Sequence, residues 1–194
     1  PIQYGIVLPG PDFPDGVPII KGGDIGSGRL SRLELNRTDP AIERAYVRSR
    51  VQPGDLVIAV RGSVGEIDDV PSALSLANLT QDSARIAPHL CDPQWLRVVL
   101  TSSTVQAAMA RMITGATVKG INIEDLRRVP IPVPCEMEQR AIARTGLDMR
   151  QSVDAHRAAL QSSIALLTEY KQSLITAAVT GEFDVTAVGS GIPG

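Results

Sequence analysis

The sequence predicts a mixed α/β (α+β) domain that runs into one long C-terminal helix. Three observations carry this expectation. Short β-type runs punctuated by Gly and Pro fill the chain up to about residue 134. The stretch Val129-Pro130-Ile131-Pro132-Val133-Pro134 then forbids a helix and removes every second backbone donor, which makes an extended, edge-like exit. From Glu136 to Thr180 there is no proline and a single glycine, Gly146.

The elements follow in chain order. Strands are expected at Gly5–Leu8, Val17–Ile20, Leu56–Val60, Gly65–Ile67, Ala84–Ile86 and Val129–Val133, each bounded by turn residues. Helices are expected at Pro40–Val47, Pro93–Leu100, Ser102–Ile113 and Ile123–Arg128. Asp92-Pro93 supplies a capping side chain followed by proline at the first helical position. Val105, Met109, Met112 and Ile113 give the third of these helices one apolar face. Asn122 before Glu124-Asp125 reads as a cap with acids in the first turn.

The last helix would be about 65–70 Å long if continuous. Glu136 and Glu138 suit its opening turn and Gly181 its close. Val153, Leu160, Leu167 and Leu174 recur every seven residues, with Met149, Ile164, Tyr170 and Ala178 offset by three or four. A seam of that period pairs with another long helix, here through Met149, Val153, Leu160, Ile164, Leu167 and Leu174. The rival arrangement folds the helix back on the first domain. The expected division is therefore a domain at 1–134, a helix at 135–185 and a loose, Gly-rich tail at 186–194.

Composition narrows the function. A chain of 194 residues and 20.6 kDa holds one ordinary domain with an appendage, or two small domains. With 43% hydrophobic and 21% charged residues it is a globular chain rather than a disordered one. No apolar run approaches the roughly 20 residues of a membrane span, so no membrane association is expected. No leader-like segment opens the chain, and Cys91 and Cys135 form no disulfide framework, so the cytoplasm is the expected compartment. Pro1 in place of Met suggests a trimmed or missing start. A net charge of −2 gives no global signature of nucleic-acid binding, and 3% aromatics argue against base-stacking grooves. Any DNA function would need local basic loops, helped by a partner.

Catalytic patterns fail on inspection. Gly22-Gly23-Asp24-Ile25-Gly26-Ser27-Gly28 is not followed by a helix that could meet a phosphate, and no Gly-Lys-Ser/Thr ending makes it a P-loop. Arg61-Gly62-Ser63-Val64-Gly65 lacks the spacing of a nucleophile elbow. His89 and His156 are the sole histidines, and His89 with Cys91 would need two more ligands to hold a metal. No carboxylate pair stands out as acid and base. The chain is expected to bind no cofactor or metal and to catalyse nothing by itself.

The loops carry DNA-type chemistry instead. Lys21, Asp24, Ser27 and Arg29 belong to the first Gly-rich loop, with Arg32 and Arg37 nearby. Arg61 and Ser63 belong to the second, and Thr114, Thr117 and Lys119 to a third, Thr114-Gly115-Ala116-Thr117-Val118-Lys119-Gly120. Asn78, Thr80 and Gln81 add polar groups suited to base edges. On composition alone, solvated surface loops with glycines at tight turns account for the same residues.

The order of the motifs is more specific. Gly16-Val17-Pro18-Ile19-Ile20-Lys21-Gly22-Gly23-Asp24-Ile25 comes first, then Pro53-Gly54-Asp55-Leu56-Val57-Ile58-Ala59-Val60-Arg61-Gly62-Ser63-Val64-Gly65, then Thr114–Ile121. Asp125-Leu126, Ile131-Pro132-Val133-Pro134, Glu138-Gln139-Arg140-Ala141-Ile142 and Tyr170–Gly181 follow. In that order these blocks resemble the specificity subunit of type I restriction–modification enzymes over nearly the whole chain. The resemblance implies a target-recognition domain for a half-site in double-stranded DNA, followed by a spacer helix packed antiparallel against that of a second copy or second half. It implies partners as well: modification (methyltransferase) subunits that use S-adenosylmethionine, and a restriction subunit that uses ATP and Mg. The specificity subunit itself would do no chemistry. The full subunit has two recognition domains and two spacer helices, against one of each here. This chain is then either a natural half-subunit that pairs with itself or half of a longer chain. Cys135 stands where the family continues with another proline, and the stretch usual ahead of Tyr4 is absent. The alternative within the same ancestry is an assembly scaffold that acts through its helix and reads no DNA.

Overall fold

The computed structural model describes residues 2–26, 28–31 and 34–182. The expected tail at 186–194 and Ser27 lie outside the described residues. Contacts divide the chain into two units, with the boundary between Gly146 and Leu147.

The first unit is the expected mix of sheet and helix. Strands β1 (Ile2–Tyr4), β2 (Val17–Ile20), β3 (Arg37–Thr38), β4 (Leu56–Ala59), β5 (Ile67–Asp69), β6 (Asn78–Leu79) and β7 (Ser83–Ile86) form two sheets. One has the order β1-β7-β4-β5 and is antiparallel throughout; the other is β3-β2-β6, with β2 antiparallel to β3 and parallel to β6. Strand β4 is buried on both faces, which is why its sequence is a continuous apolar run without alternation. Leu56, Ile58 and Val60 enter a core shared with Trp95, Leu96, Val99 and Met109. Val57 and Ala59 enter a second core with Ile20, Ile25, Val51 and Leu79.

Helices α1 (Pro40–Glu43), α2 (Pro93–Thr101), α3 (Ser103–Ala110) and α4 (Ile123–Arg127) start on side-chain caps. Asp39 accepts from the Ala41 N–H, Asp92 from Gln94 and Trp95, Ser102 from Val105 and Asn122 from Asp125. The helix expected over Pro40–Val47 is shorter: α1 ends at Glu43 and a 3-10 segment, Arg44–Ser49, continues it.

Three strand expectations are corrected. In place of Gly5–Leu8 the first strand is Ile2–Tyr4, with Ile6 making only an isolated parallel bridge to Thr80. The strand expected at Gly65–Ile67 sits two residues later, at Ile67–Asp69. Val129–Val133 is no strand, because the prolines leave too few donors for a ladder.

Helix α5 (Glu136–Thr180) is continuous and ends one residue before Gly181. Its first turns belong to the first unit, which therefore extends past the proline exit. Gln139 and Ala143 are buried there, and the Gln139 side chain accepts from the Asp92 N–H and donates to the Pro134 carbonyl. Gly146 meets the Val98 side chain of α2 where a Cβ would collide with it. In the second unit the heptad-seam side chains of Met149, Val153, Leu160, Ile164, Leu167 and Leu174 are exposed. No helix among the described residues is long and apolar enough to cross a membrane.

Candidate nucleic-acid interface

Strand β4 delivers the second loop. Where it ends, Val60 stays in the core and Arg61 turns outward, and both backbone N–H groups donate to the Asp82 carbonyl. Ile121 donates to the Val60 carbonyl and Gly62 to the Lys119 carbonyl, so the third loop is laced to the second. Paired bonds between Thr114 and Gly120 close the base of that third loop. The first loop joins them through Gly22: a Cβ there would lie 2.8 Å from the Asp82 carbonyl oxygen and 3.0 Å from that of Arg61. No other residue permits so close an approach. Segments 21–24, 61–63, 81–82 and 114–120, far apart in sequence, thus meet at one place.

Where the last three of these segments meet lies a cleft of about 560 Å³, lined by Tyr4, Arg61, Asp82, Thr114, Gly115, Val118, Gly120, Ile121 and Asn122. Arg61 and Asp82 face each other at 3.8 Å, both about half exposed. A surface pair of that kind is worth little by itself and leaves the guanidinium free to exchange partners. Ser63, Thr114, Thr117 and Lys119 are exposed, and Gln81 is half-buried with its N–H on the Ile6 carbonyl. Tyr4, Asp82 and Asn122 also line the cleft; the sequence marks Asn122 only as a helix cap, and no pattern marks the other two as contacts.

The first loop is less available. The carboxylate of Asp68, only 1% exposed, accepts from the Gly26 N–H at 2.7 Å and the Gly28 N–H at 3.0 Å. Gly26 has φ of 114° and is pressed against the Glu66 side chain, so a side chain there would be both strained and blocked. Arg29 turns back on the Gly26 and Ile25 carbonyls, at 3.1 and 2.5 Å. Lys21 Nζ donates to Asn36 Oδ1 at 2.8 Å, while the Asp24 carboxylate accepts from the Lys21 N–H. This is an anion-binding backbone nest, and the protein's own carboxylate fills it.

Two expected contact residues are overturned. Asn78 is fully buried in β6: its amide donates to Glu43 Oε1 at 2.8 Å and to the Tyr46 carbonyl at 3.0 Å, and its Oδ1 lies 2.8 Å from the Ser49 hydroxyl. Thr80 is 4% exposed, with a hydroxyl that finds no partner among the described residues. Neither can reach a duplex. Asn78 instead helps to fix the 3-10 segment Arg44–Ser49. The neighbouring Arg50 grips Glu43 with two hydrogen bonds of 2.6 Å. That grip holds the Glu43 carboxyl below its ordinary value, helped by the Asn78 amide, although burial pushes the other way.

Away from the cleft, burial and the neighbouring Asp92 raise the Cys91 thiol, a shift away from reactivity. His89 lies with its Nδ1 3.1 Å from the Ala87 carbonyl, and no metal-binding group of three or more His, Cys, Asp or Glu forms among the described residues.

No protein-family model matches the chain. It is 28% identical over 184 residues to the EcoBI type I restriction enzyme specificity subunit of Escherichia coli, covering 94% of this chain and 39% of that protein. With the StySPI specificity subunit of Salmonella potsdam the identity is 23% over 173 residues, 86% of this chain and 36% of that protein. The chain thus spans less than half the length of the curated relatives it matches. The crystal structure of the HsdS subunit from Thermoanaerobacter tengcongensis aligns with a TM-score of 0.61 at 23% identity, covering 94% of this chain and 43% of that one, a likeness of fold.

Proposed function

We propose that this chain, related over most of its length to the specificity subunits of type I restriction–modification enzymes, reads one half-site in double-stranded DNA for such a system. The observation that carries this reading is the meeting of the 61–63, 81–82 and 114–120 loops around one open cleft with Arg61 and Lys119 exposed. Glycines at its rim let backbone amides approach phosphates, while Arg and hydroxyl side chains suit base edges. The chain acts in the cytoplasm, binds no cofactor of its own and is not itself a catalyst. Methyl transfer from S-adenosylmethionine belongs to modification subunits, and ATP- and Mg-dependent cleavage to a restriction subunit. Those partners also offset the absence of a basic net charge by enclosing the duplex.

Helix α5 supplies the second half of the reading. Its exposed apolar seam needs a long partner, and the matching helix of a second copy, or of the other half of a longer chain, fits it in an antiparallel coiled coil. A twofold pair of identical readers would recognise an interrupted palindrome.

The test is selection of bound duplexes from a randomised pool by this chain reconstituted with a type I modification subunit. Inverted half-sites are expected from a self-paired half-subunit, and an asymmetric pair or a single half-site from half of a longer chain. A stable complex with no sequence enrichment sinks the reading and leaves an assembly scaffold acting through α5.

A further inference from the structure

Tyr4 borders two clefts. One is the reading cleft; the other, of about 620 Å³, is lined by Gln3, Tyr4, Tyr46, Ser49 and the exposed pair Arg44 and Arg48, and by no carboxylate. Among the described residues neither of these arginines forms an ion pair, whereas Arg50 holds Glu43, Arg85 holds Asp55 and Arg61 faces Asp82. Arg44 and Arg48 both stand exposed on the 3-10 segment Arg44–Ser49, where like charges repel and no carboxylate of the cleft offsets them.

The backbone beneath them is fixed. Glu43 and Ser49, at the two ends of the turn, are buried and tied to Asn78, so Arg44 and Arg48 are presented on a rigid base and need order only their own side chains. Guanidinium groups held this way are suited to phosphate oxygens, which they grip through paired N–H donors.

We infer that this second cleft holds the sugar–phosphate backbone of the duplex through Arg44 and Arg48, fixing where the DNA lies rather than which bases are read. The inference rests on the DNA reading proposed above. Arg44 and Arg48 are positioning contacts, and their loss lowers affinity for every sequence by the same factor.

The test uses Arg44→Gln/Arg48→Gln in the full chain reconstituted with the modification subunit. Affinity for a fluorescent duplex carrying the selected half-site, and for a scrambled duplex of equal length, is measured across a NaCl series. The slope of log K against log salt is expected to shrink by about 1.8, at roughly 0.9 per phosphate lost, with the ratio between the two duplexes unchanged. Arg140→Gln removes a charge from a different cleft, beside His89 and Cys91, and leaves the slope as it was. If the double variant fails to fold, Arg48→Gln alone gives half the change. An unchanged slope overturns this inference while the DNA reading stands, and a changed ratio with an unchanged slope also overturns it, in favour of base contacts. A parent complex that binds neither duplex overturns both.

Discussion

The Gly-rich loops at 21–29 and 114–120 have the same texture of glycine, hydroxyl and basic residues, yet fold to opposite ends. In the first, the Gly26 and Gly28 amides close on Asp68, Arg29 closes on its own loop carbonyls, and Lys21 on Asn36. In the third, hydrogen bonds between Thr114 and Gly120 seal the base and leave Thr117, Val118 and Lys119 exposed. What separates them is one carboxylate on β5, forty residues away from the loop it fills. A loop built to receive an anion is open to DNA only where the chain has not already supplied the anion.

The largest expected effect comes from removing that carboxylate. Asp68→Ala leaves two amide donors without their charged acceptor, one of them on buried Gly26, and should cost about 2–4 kcal/mol of stability. Asp68→Asn keeps an acceptor oxygen and should cost less. Urea unfolding followed by circular dichroism measures both, and a loss below about 0.5 kcal/mol, within the scatter of ordinary surface changes, would mean that the loop is held by something else.

The third loop should behave in the opposite way. Lys119→Ala removes an exposed cation with no buried partner, so stability should stay within about 0.5 kcal/mol. DNA affinity of the reconstituted complex should fall by several-fold, with the salt slope flatter by about 0.9 if the ammonium meets one phosphate. Filter binding over a salt series reads the affinity and slope. Undiminished affinity would move the interface away from this loop.

The same contrast explains what could be read from the residues alone. Strand β2, helices α2 and α4 and the long α5 were readable because their signals are local: an apolar run, a cap followed by proline, a span free of breakers. Strands β3 and β6, two residues each, went unseen because their existence depends on β2, a distant partner. The cleft was half readable. Arg61 and Thr114 line it and carry a loop-texture signal, whereas Asn78 and Thr80 are buried, and an amide or hydroxyl carries no mark of burial in its type. Arg44 and Arg48 had a usable signal, two arginines four apart in an expected helix, that the glycine-rich loops overshadowed.

The smallest expected effect is the sharpest test of the contrast. Arg29 and Arg61 are both exposed arginines at the mouths of glycine-rich loops, and composition cannot tell them apart. Arg29 spends its donors on the Gly26 and Ile25 carbonyls, so Arg29→Ala should cost about 0.5–1 kcal/mol of stability through two lost hydrogen bonds. The salt slope of DNA binding should not move, because no phosphate contact is lost. Arg61→Ala should do the reverse, since its pairing with Asp82 at 3.8 Å is weak and easily exchanged. Unfolding curves and salt-series titrations on the two variants side by side decide it. A flattened slope for Arg29→Ala would show that the first loop opens to DNA after all, and that the Asp68 closure gives way when a phosphate arrives.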